Sequence, residues 1–252
     1  MTSIMAGSGL LGRRAIERSR RNPASVVGAI LFPLLFFALF NIVLRRVMDS
    51  QGFDYVQLLP PTIVVQAMLF AGMSSAYYVA DDRLSGITER FFSLPIGRAA
   101  PAVGRSIGDL ARATVSVLVL VVVGLATGMR FNAGLAWVPA FVGLALLFAL
   151  AVSLGMGLIG LIASSPEGAV SIASIPYLPL LMLSTGFVPV EDFPDWLEPI
   201  VRNQPITVVI DALRALAGDG DIGSTVPGAV AWSVGLIVAF GALSVWAAGR
   251  DR

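Results

Sequence analysis

The sequence predicts an all-α integral membrane protein with six transmembrane helices, and three observations predict it. Hydrophobic residues make up 56% of the 252 residues and charged ones 13%, about half the charged share of an ordinary soluble domain. Six stretches carry no charge at all: 26–44, 58–80, 113–129, 135–163, 169–188 and 228–248. Each approaches or exceeds the roughly 20 apolar residues a helix needs to cross a hydrocarbon core about 30 Å thick. The third observation is where the basic residues fall. All 17 are Arg, and with six spans and both termini cytoplasmic, twelve lie inside and five outside: Arg45, Arg46, Arg130, Arg202 and Arg214. Positive charge is retained on the cytoplasmic side, which favours that orientation.

The N-terminal "LLGRRAIERSRRNP" reads as an amphipathic helix. Arg13 with Glu17, and Glu17 with Arg21, are four residues apart and can pair on an exposed face beside Arg14, while Leu10, Leu11 and Ile16 lean toward lipid. A basic tail that only sets topology fits the same residues. Asn22 and Pro23 turn the chain into the first span. A cleaved signal peptide is excluded there, because the apolar run is too long and Arg45 and Arg46 stand where small residues would be needed. The third span is the shortest and borrows from 109–112; the fourth is longer than the core and should tilt. No repeat or linker divides the chain, so residues 1–252 form one membrane domain.

Between the second and third spans lies "DDRLSGITERFFSLPIGR", residues 81–98. Leu84, Ile87, Phe91 and Leu94 recur at helical spacing with Arg83 and Arg90 beside them, and Pro95 ends the run. Gly86 marks either a close approach or a break. An interfacial helix on lipid is one reading. The acids Asp81, Asp82 and Glu89 suit a protein partner better, since an anionic leaflet would repel them. Ile87 and Phe91 would then fill a partner's cleft while Arg83, Glu89 and Arg90 fix the register.

Composition removes much chemistry. Without Cys, His or Lys there is no disulfide, no His or Cys metal site and no catalytic His base. A P-loop needs its lysine, so ATP is not hydrolysed through that motif here. The run Gly218, Asp219, Gly220, Asp221 looks like an intramembrane aspartyl-protease signature, yet it sits in a polar loop and reads as a turn. The six stretches have no ionisable residue near their middles, against the habit of ion-coupled carriers. Asn41, Gln66, Tyr77, Tyr78 and Tyr177 are their polar members, read either as helix-to-helix bonding or, for Gln66, Tyr77 and Tyr177, as a substrate path.

The segment between spans five and six carries seven acids and two Arg, yet Trp196, Leu197, Ile200, Val208, Val209 and Leu213 run through it. Two short amphipathic helices separated by Asn203, Gln204 and Pro205 explain that pattern.

Taken in order, Ser184, Gly186, Phe187, Pro189, Phe193, Pro194, Trp196, Leu197, Pro205, Thr207, Asp211 and Arg214, with the 81–98 stretch, resemble the permeases of ABC-2 type exporters, in particular those similar to daunorubicin-resistance permeases. Ser-Thr-Gly at 184–186 stands where Ser-Gly is more usual. The resemblance implies a non-enzymatic membrane subunit in the bacterial plasma membrane, paired with an identical or similar permease and two copies of an ATP-binding subunit that holds ATP and Mg. It implies that Arg83, Leu84, Gly86, Ile87, Glu89, Arg90 and Phe91 form a coupling helix, that Arg13, Arg14, Glu17 and Arg21 lie on an inner-surface helix, and that Gly186, Pro189, Pro194, Trp196, Pro205, Asp211 and Arg214 belong to an outer re-entrant motif. A hydrophobic drug or lipid is the implied cargo. A non-energised scaffold that recruits a soluble partner, or an ion-coupled carrier, are the rival readings.

Overall fold

The computed structural model describes residues 12, 17, 23–50, 54–88, 100–132, 134–218 and 220–247. These residues form eight α-helices: α1 (Pro23–Ser50), α2 (Tyr55–Leu84), α3 (Ala100–Thr127), α4 (Val138–Ile162), α5 (Pro166–Met182), α6 (Glu198–Asn203), α7 (Pro205–Ala217) and α8 (Ile222–Ala247). No strand occurs among them. Four helical stretches are long and apolar enough to cross a membrane, namely Tyr55–Leu84, Ala102–Thr127, Leu135–Ile162 and Ile222–Ala247. They coincide with the second, third, fourth and sixth uncharged stretches. The first stretch lies on the 28-residue α1 and the fifth on the 17-residue α5.

α2 is the hub. It packs on α1, α3, α4, α5 and α7, most extensively on α4, and 78% of its apolar stretch is buried against 11% for α8. The α2–α4 contact is tight because small residues face each other. A Cβ added at Gly160 would collide with the Ala76 carbonyl oxygen and lie 2.8 Å from Val79 Cβ, and one at Gly157 would touch Val79 and Ser75. Ala149 and Ser153 extend the same buried face, so the spacing of Ala149, Ser153 and Gly157 serves this packing. Gly124 plays the same part on α3, where a side chain would press on Pro60 and Met129.

Local chemistry sets the helix ends. Ser165 caps α5 by accepting a hydrogen bond from the Gly168 N–H at 3.0 Å, with Pro166 and Glu167 in the first turn. Asp221 does the same for α8, its carboxylate accepting from the Gly223 N–H at 2.9 Å. Hydrogen bonds from Ser224 and Gly223 hold that carboxyl below its ordinary value. Gly218, Gly220 and Asp221 of the Gly-Asp run therefore lie between α7 and α8, as the loop reading expects, while Asp219 lies outside the described residues.

Aromatic rings bind α1 to the rest. Phe32 meets Phe70 of α2 at 4.2 Å, Phe40 meets Phe187 at 4.8 Å, and Phe70 meets Tyr177 of α5 edge-on at 5.1 Å.

Candidate functional site

The polar groups of the bundle gather at three levels along α2. At its N-terminal end, α7 and the turn after α5 close on it in a knot around Arg214. The chain leaves α5 at Met182 and runs irregularly through Ser184, Thr185 and Gly186. Irregular backbone buried in a membrane protein must have its carbonyls satisfied, and Arg214 does this. Its Nη1 donates to the Thr185 carbonyl at 2.8 Å, its Nη2 to the Gly186 carbonyl at 3.0 Å and Thr62 Oγ1 at 3.1 Å, and its Nε to the Leu58 carbonyl at 3.3 Å. Asp211, one turn back on α7, stands 3.6 Å from the guanidinium and accepts from the Thr185 hydroxyl at 2.8 Å.

Burial pushes the Asp211 carboxyl above its ordinary value, while the Thr185 bond and the Arg214 charge pull it back. Burial likewise lowers the Arg214 guanidinium, with Asp211 opposing. Gly186 is required for space, since a Cβ there would lie 2.8 Å from Thr62 Cγ2. A cavity of about 200 Å³, mainly apolar, opens beside the knot between Tyr55, Leu58, Phe187, Pro189 and Arg214.

Sequence reasoning placed Gly186, Asp211 and Arg214 together, and they are in contact. It also named Pro189, Pro194, Trp196 and Pro205. Pro205 is the first residue of α7, Pro189 precedes the 3-10 turn Val190–Asp192, and Pro194 opens the turn that leads to α6. Trp196 is 73% exposed and takes no part in the knot. The two expected short helices are α6 and α7, broken at Gln204. Sequence reasoning missed Thr62, Thr185 and Gln57. The Gln57 amide donates to the Arg130 carbonyl at 2.6 Å and the Ala217 carbonyl at 2.9 Å while its Oε1 accepts from the Arg130 N–H at 3.0 Å. A lone amide at the start of an apolar helix was the available signal.

At mid-helix, Gln66 Nε2 donates to the Tyr177 hydroxyl at 2.8 Å, linking α2 to α5. Gln66 Oε1 is buried without a partner among the described residues. Tyr77 is not brought to this pair. It lies eleven residues on, roughly 16 Å along the helix, edge-on to Tyr78 at 5.6 Å.

At the C-terminal end of α2 the groups are charged. Asp109 and Arg112 of α3, both nearly fully buried, form an ion pair one turn apart. Arg112 sits over the Tyr78 ring at 5.0 Å, Ser75 hydrogen-bonds Asp109, and Arg105 lies within Coulombic reach of Asp109 and the buried Asp82. The uncharged third stretch therefore understates its helix, because α3 begins at Ala100 and carries this seam in its first half. Arg83 turns inward, its Nη2 donating to the Ala163 carbonyl at the end of α4.

The helix stops at Leu84, and Gly86 adopts φ +70° with its N–H bonded to the Arg83 carbonyl at 3.1 Å. Glycine reaches this left-handed conformation without a Cβ penalty. The expected stripe from Leu84 to Leu94 is thus interrupted: Leu84 is exposed at the end of α2, and a new helical turn starts at the half-buried Ile87. Glu89, Arg90, Phe91, Arg13, Arg14 and Arg21 lie outside the described residues; Glu17 is helical and exposed. Among the described residues, no group of three or more His, Cys, Asp or Glu is placed to hold a metal ion.

Membrane-length helices gathered round a buried hub, with polar ties between helices at three depths, define an all-helical membrane-protein fold. The chain belongs to the ABC-2 type transporter family, whose sequence profile matches residues 8–217, so that α8 lies beyond the matched part. It is 28% identical to a probable doxorubicin resistance ABC transporter permease protein of Mycobacterium tuberculosis, over 89% of this chain and 82% of that protein. Against a daunorubicin resistance ABC transporter permease protein of Streptomyces coeruleorubidus the identity is 28%, over 92% and 82% respectively. A putative transport permease of Cyanophora paradoxa is 23% identical, over 82% and 72%.

Proposed function

We propose that this chain is the six-span permease of an ATP-driven exporter in the bacterial plasma membrane, with both termini cytoplasmic. It works with a second permease, identical or similar, and two copies of a separate subunit that binds ATP and Mg. Its cargo is a hydrophobic or amphipathic drug or a lipid-like molecule. Relatives named as doxorubicin and daunorubicin resistance permeases support the cargo class. The absence of lysine supports placing nucleotide chemistry on another polypeptide.

The observation that carries the mechanism is the C-terminal end of α2. In this reading that end is cytoplasmic, and residues 83–91 take the push of the ATP-binding partner. Arg83 ties the push to α4 through the Ala163 carbonyl, and the Asp82–Arg105–Asp109–Arg112 seam ties it to α3. The 13–21 segment lies along the cytoplasmic surface, and the Arg214 knot closes the outer mouth. Gln66 and Tyr177 offer a polar contact along the path.

The test is export with partner ATPase activity measured in parallel. Arg90→Glu and Gly86→Trp should abolish export while the protein still inserts and the partner still hydrolyses ATP. Unchanged export in both variants would remove the coupling assignment.

A further inference from the structure

Two large apolar side chains beside α6 stay exposed although the chain around them is firmly held. Trp196 is 73% exposed and Ile200 57%. They stand four residues apart on continuous helical backbone. The Leu197 and Glu198 N–H groups donate to the Pro194 carbonyl at 2.8 and 3.1 Å, and the Ile200 and Val201 N–H groups both donate to the Leu197 carbonyl at 3.0 Å. Residues four apart share one face of a helix, so Trp196 and Ile200 form one apolar edge. Val201 is fully buried, which roots the segment in the bundle and leaves that edge outward.

The end of α6 is fastened to the end of α5. The Gln204 amide, directly after α6, donates to the Leu183 carbonyl and, at 3.3 Å, to the Leu180 carbonyl. Leu180, Met182 and Leu183 are themselves exposed there. At about 1.5 Å per residue, Ile200 lies about 6 Å and Trp196 about 12 Å along the helix from this fastening. Apolar surface therefore continues from α5 onto α6, and it stops where charge begins. Glu191, Asp192 and Asp195 are exposed, and Glu198 pairs with Arg202 at 2.5 Å. Such groups are costly in hydrocarbon, so they hold the segment at the boundary, where an indole places its ring among apolar groups and its N–H toward water.

We infer that the segment 194–203 docks on the lipid bilayer, with Trp196 and Ile200 inserted where headgroups meet acyl chains. This docking requires that α5 spans the membrane, as proposed above. It is independent of the cargo, of the ATP-binding partner and of which side of the membrane this end of the bundle faces.

The test keeps one tryptophan at a time in the full chain, in phosphatidylcholine vesicles, with the other tryptophans replaced by Phe. Fluorescence quenching is read with iodide in the water and with phosphatidylcholine brominated near the glycerol or near the bilayer middle. Trp196 alone, with Trp137→Phe, Trp232→Phe and Trp246→Phe, should lie about 5–10 Å into the boundary and be quenched about twofold more by the shallow bromines than by the deep ones. Ile200→Trp in the tryptophan-free chain should behave alike. Arg202→Trp in that chain, off the edge, should be quenched by iodide about fivefold more than Trp196. Trp232 alone, ten residues into α8, should be reached by the deep bromines. Circular dichroism and elution volume report folding, and the difference between wild type and Trp196→Phe gives the Trp196 signal without the other replacements. Iodide quenching of Trp196 equal to that of Arg202→Trp, with Trp232 still deep, would put the edge in water and overturn the docking while α8 remains a span. Shielding of Trp196 from both quenchers would mean that a protein surface covers it, which also overturns the docking. A Trp232 untouched by the deep bromines would instead remove the membrane reading, and the docking with it.

Discussion

The two ends of α2 are held by different physics. At the Tyr55 end one guanidinium serves three backbone carbonyls and a hydroxyl, and Gln57 clasps two further segments. These bonds converge on irregular backbone, where the Thr62 hydroxyl also donates to the Gly186 carbonyl at 3.0 Å. At the Leu84 end the ties are charge-based, the Ser75–Asp109 hydrogen bond, Arg112 over the Tyr78 ring, the attraction of Arg105 to Asp82 and one Arg83–carbonyl bond, and the helix runs out at a left-handed glycine. Bonds to backbone carbonyls can be replaced by few side chains, whereas charged pairs can exchange partners among Asp82, Arg105, Asp109 and Arg112. The first end suits an anchor and the second an end that shifts.

The largest effect expected from breaking this contrast is at the anchor. Arg214→Met leaves the Leu58, Thr185 and Gly186 carbonyls short of a donor and Asp211 without its cation, which should cost about 3–5 kcal/mol. Thermal unfolding in detergent measures it, and a loss under about 1 kcal/mol would show that the knot does not anchor the helix. Next comes the seam. Asp109→Leu alone takes from the buried Arg112 its ion-pair carboxylate and should cost about 3 kcal/mol, while Asp109→Leu with Arg112→Leu should recover most of that. A double variant as unstable as the single would contradict the paired reading.

A smaller effect is expected at Gly86. There is open space around it, so Gly86→Val meets only backbone strain, about 1–2 kcal/mol, and Gly86→Asn should cost less because asparagine tolerates this conformation. Equal stability of the two would mean that the backbone relaxes out of the left-handed region. The smallest effect concerns pH. The Asp211 carboxyl is raised in the folded protein, so its contribution to stability is full below the ordinary carboxylate range and is lost as pH rises through the folded value. Asp211→Asn should remove this dependence, and the difference in unfolding temperature between wild type and variant should therefore shift in favour of wild type as pH falls. A constant difference across the acid range would place the group in a solvated setting.

Much of the architecture was legible because lipid imposes one rule on composition. Stretches without charge must be long helices, and four of them are present as such in the described residues. The break between α6 and α7 could be read from Asn203, Gln204 and Pro205. The knot was half legible: Arg214, Asp211 and Gly186 stood out as unusual residues in a re-entrant pattern, whereas Thr62 and Thr185 look like ordinary small polar residues of an apolar run. Their role depends on the Gly186 carbonyl and the Asp211 carboxylate that accept from them across 124 and 26 positions of chain, and no local spacing encodes that. The seam on α3 was hidden by the way apolar runs are bounded. Charge ends such a run by definition, so 109–112 entered only as a margin borrowed by the third span and Arg105 counted as flank, although the helix runs on through them to Ala100. Leu84 and Ile87 share a helical interval in sequence, but Gly86 takes them off a common face.

The close contact of Gly160 with the Ala76 carbonyl limits where anything can travel. With no Cβ at Gly160 to hold it off the Ala76 carbonyl, α2 and α4 pack as a single strut, and a tilt imposed on one carries the other. No acyl chain or drug ring can slip through a seam of that width. A molecule crossing the membrane with the help of this protein must therefore pass along the outside of the strut, where α1, α5 or a companion chain can part from it.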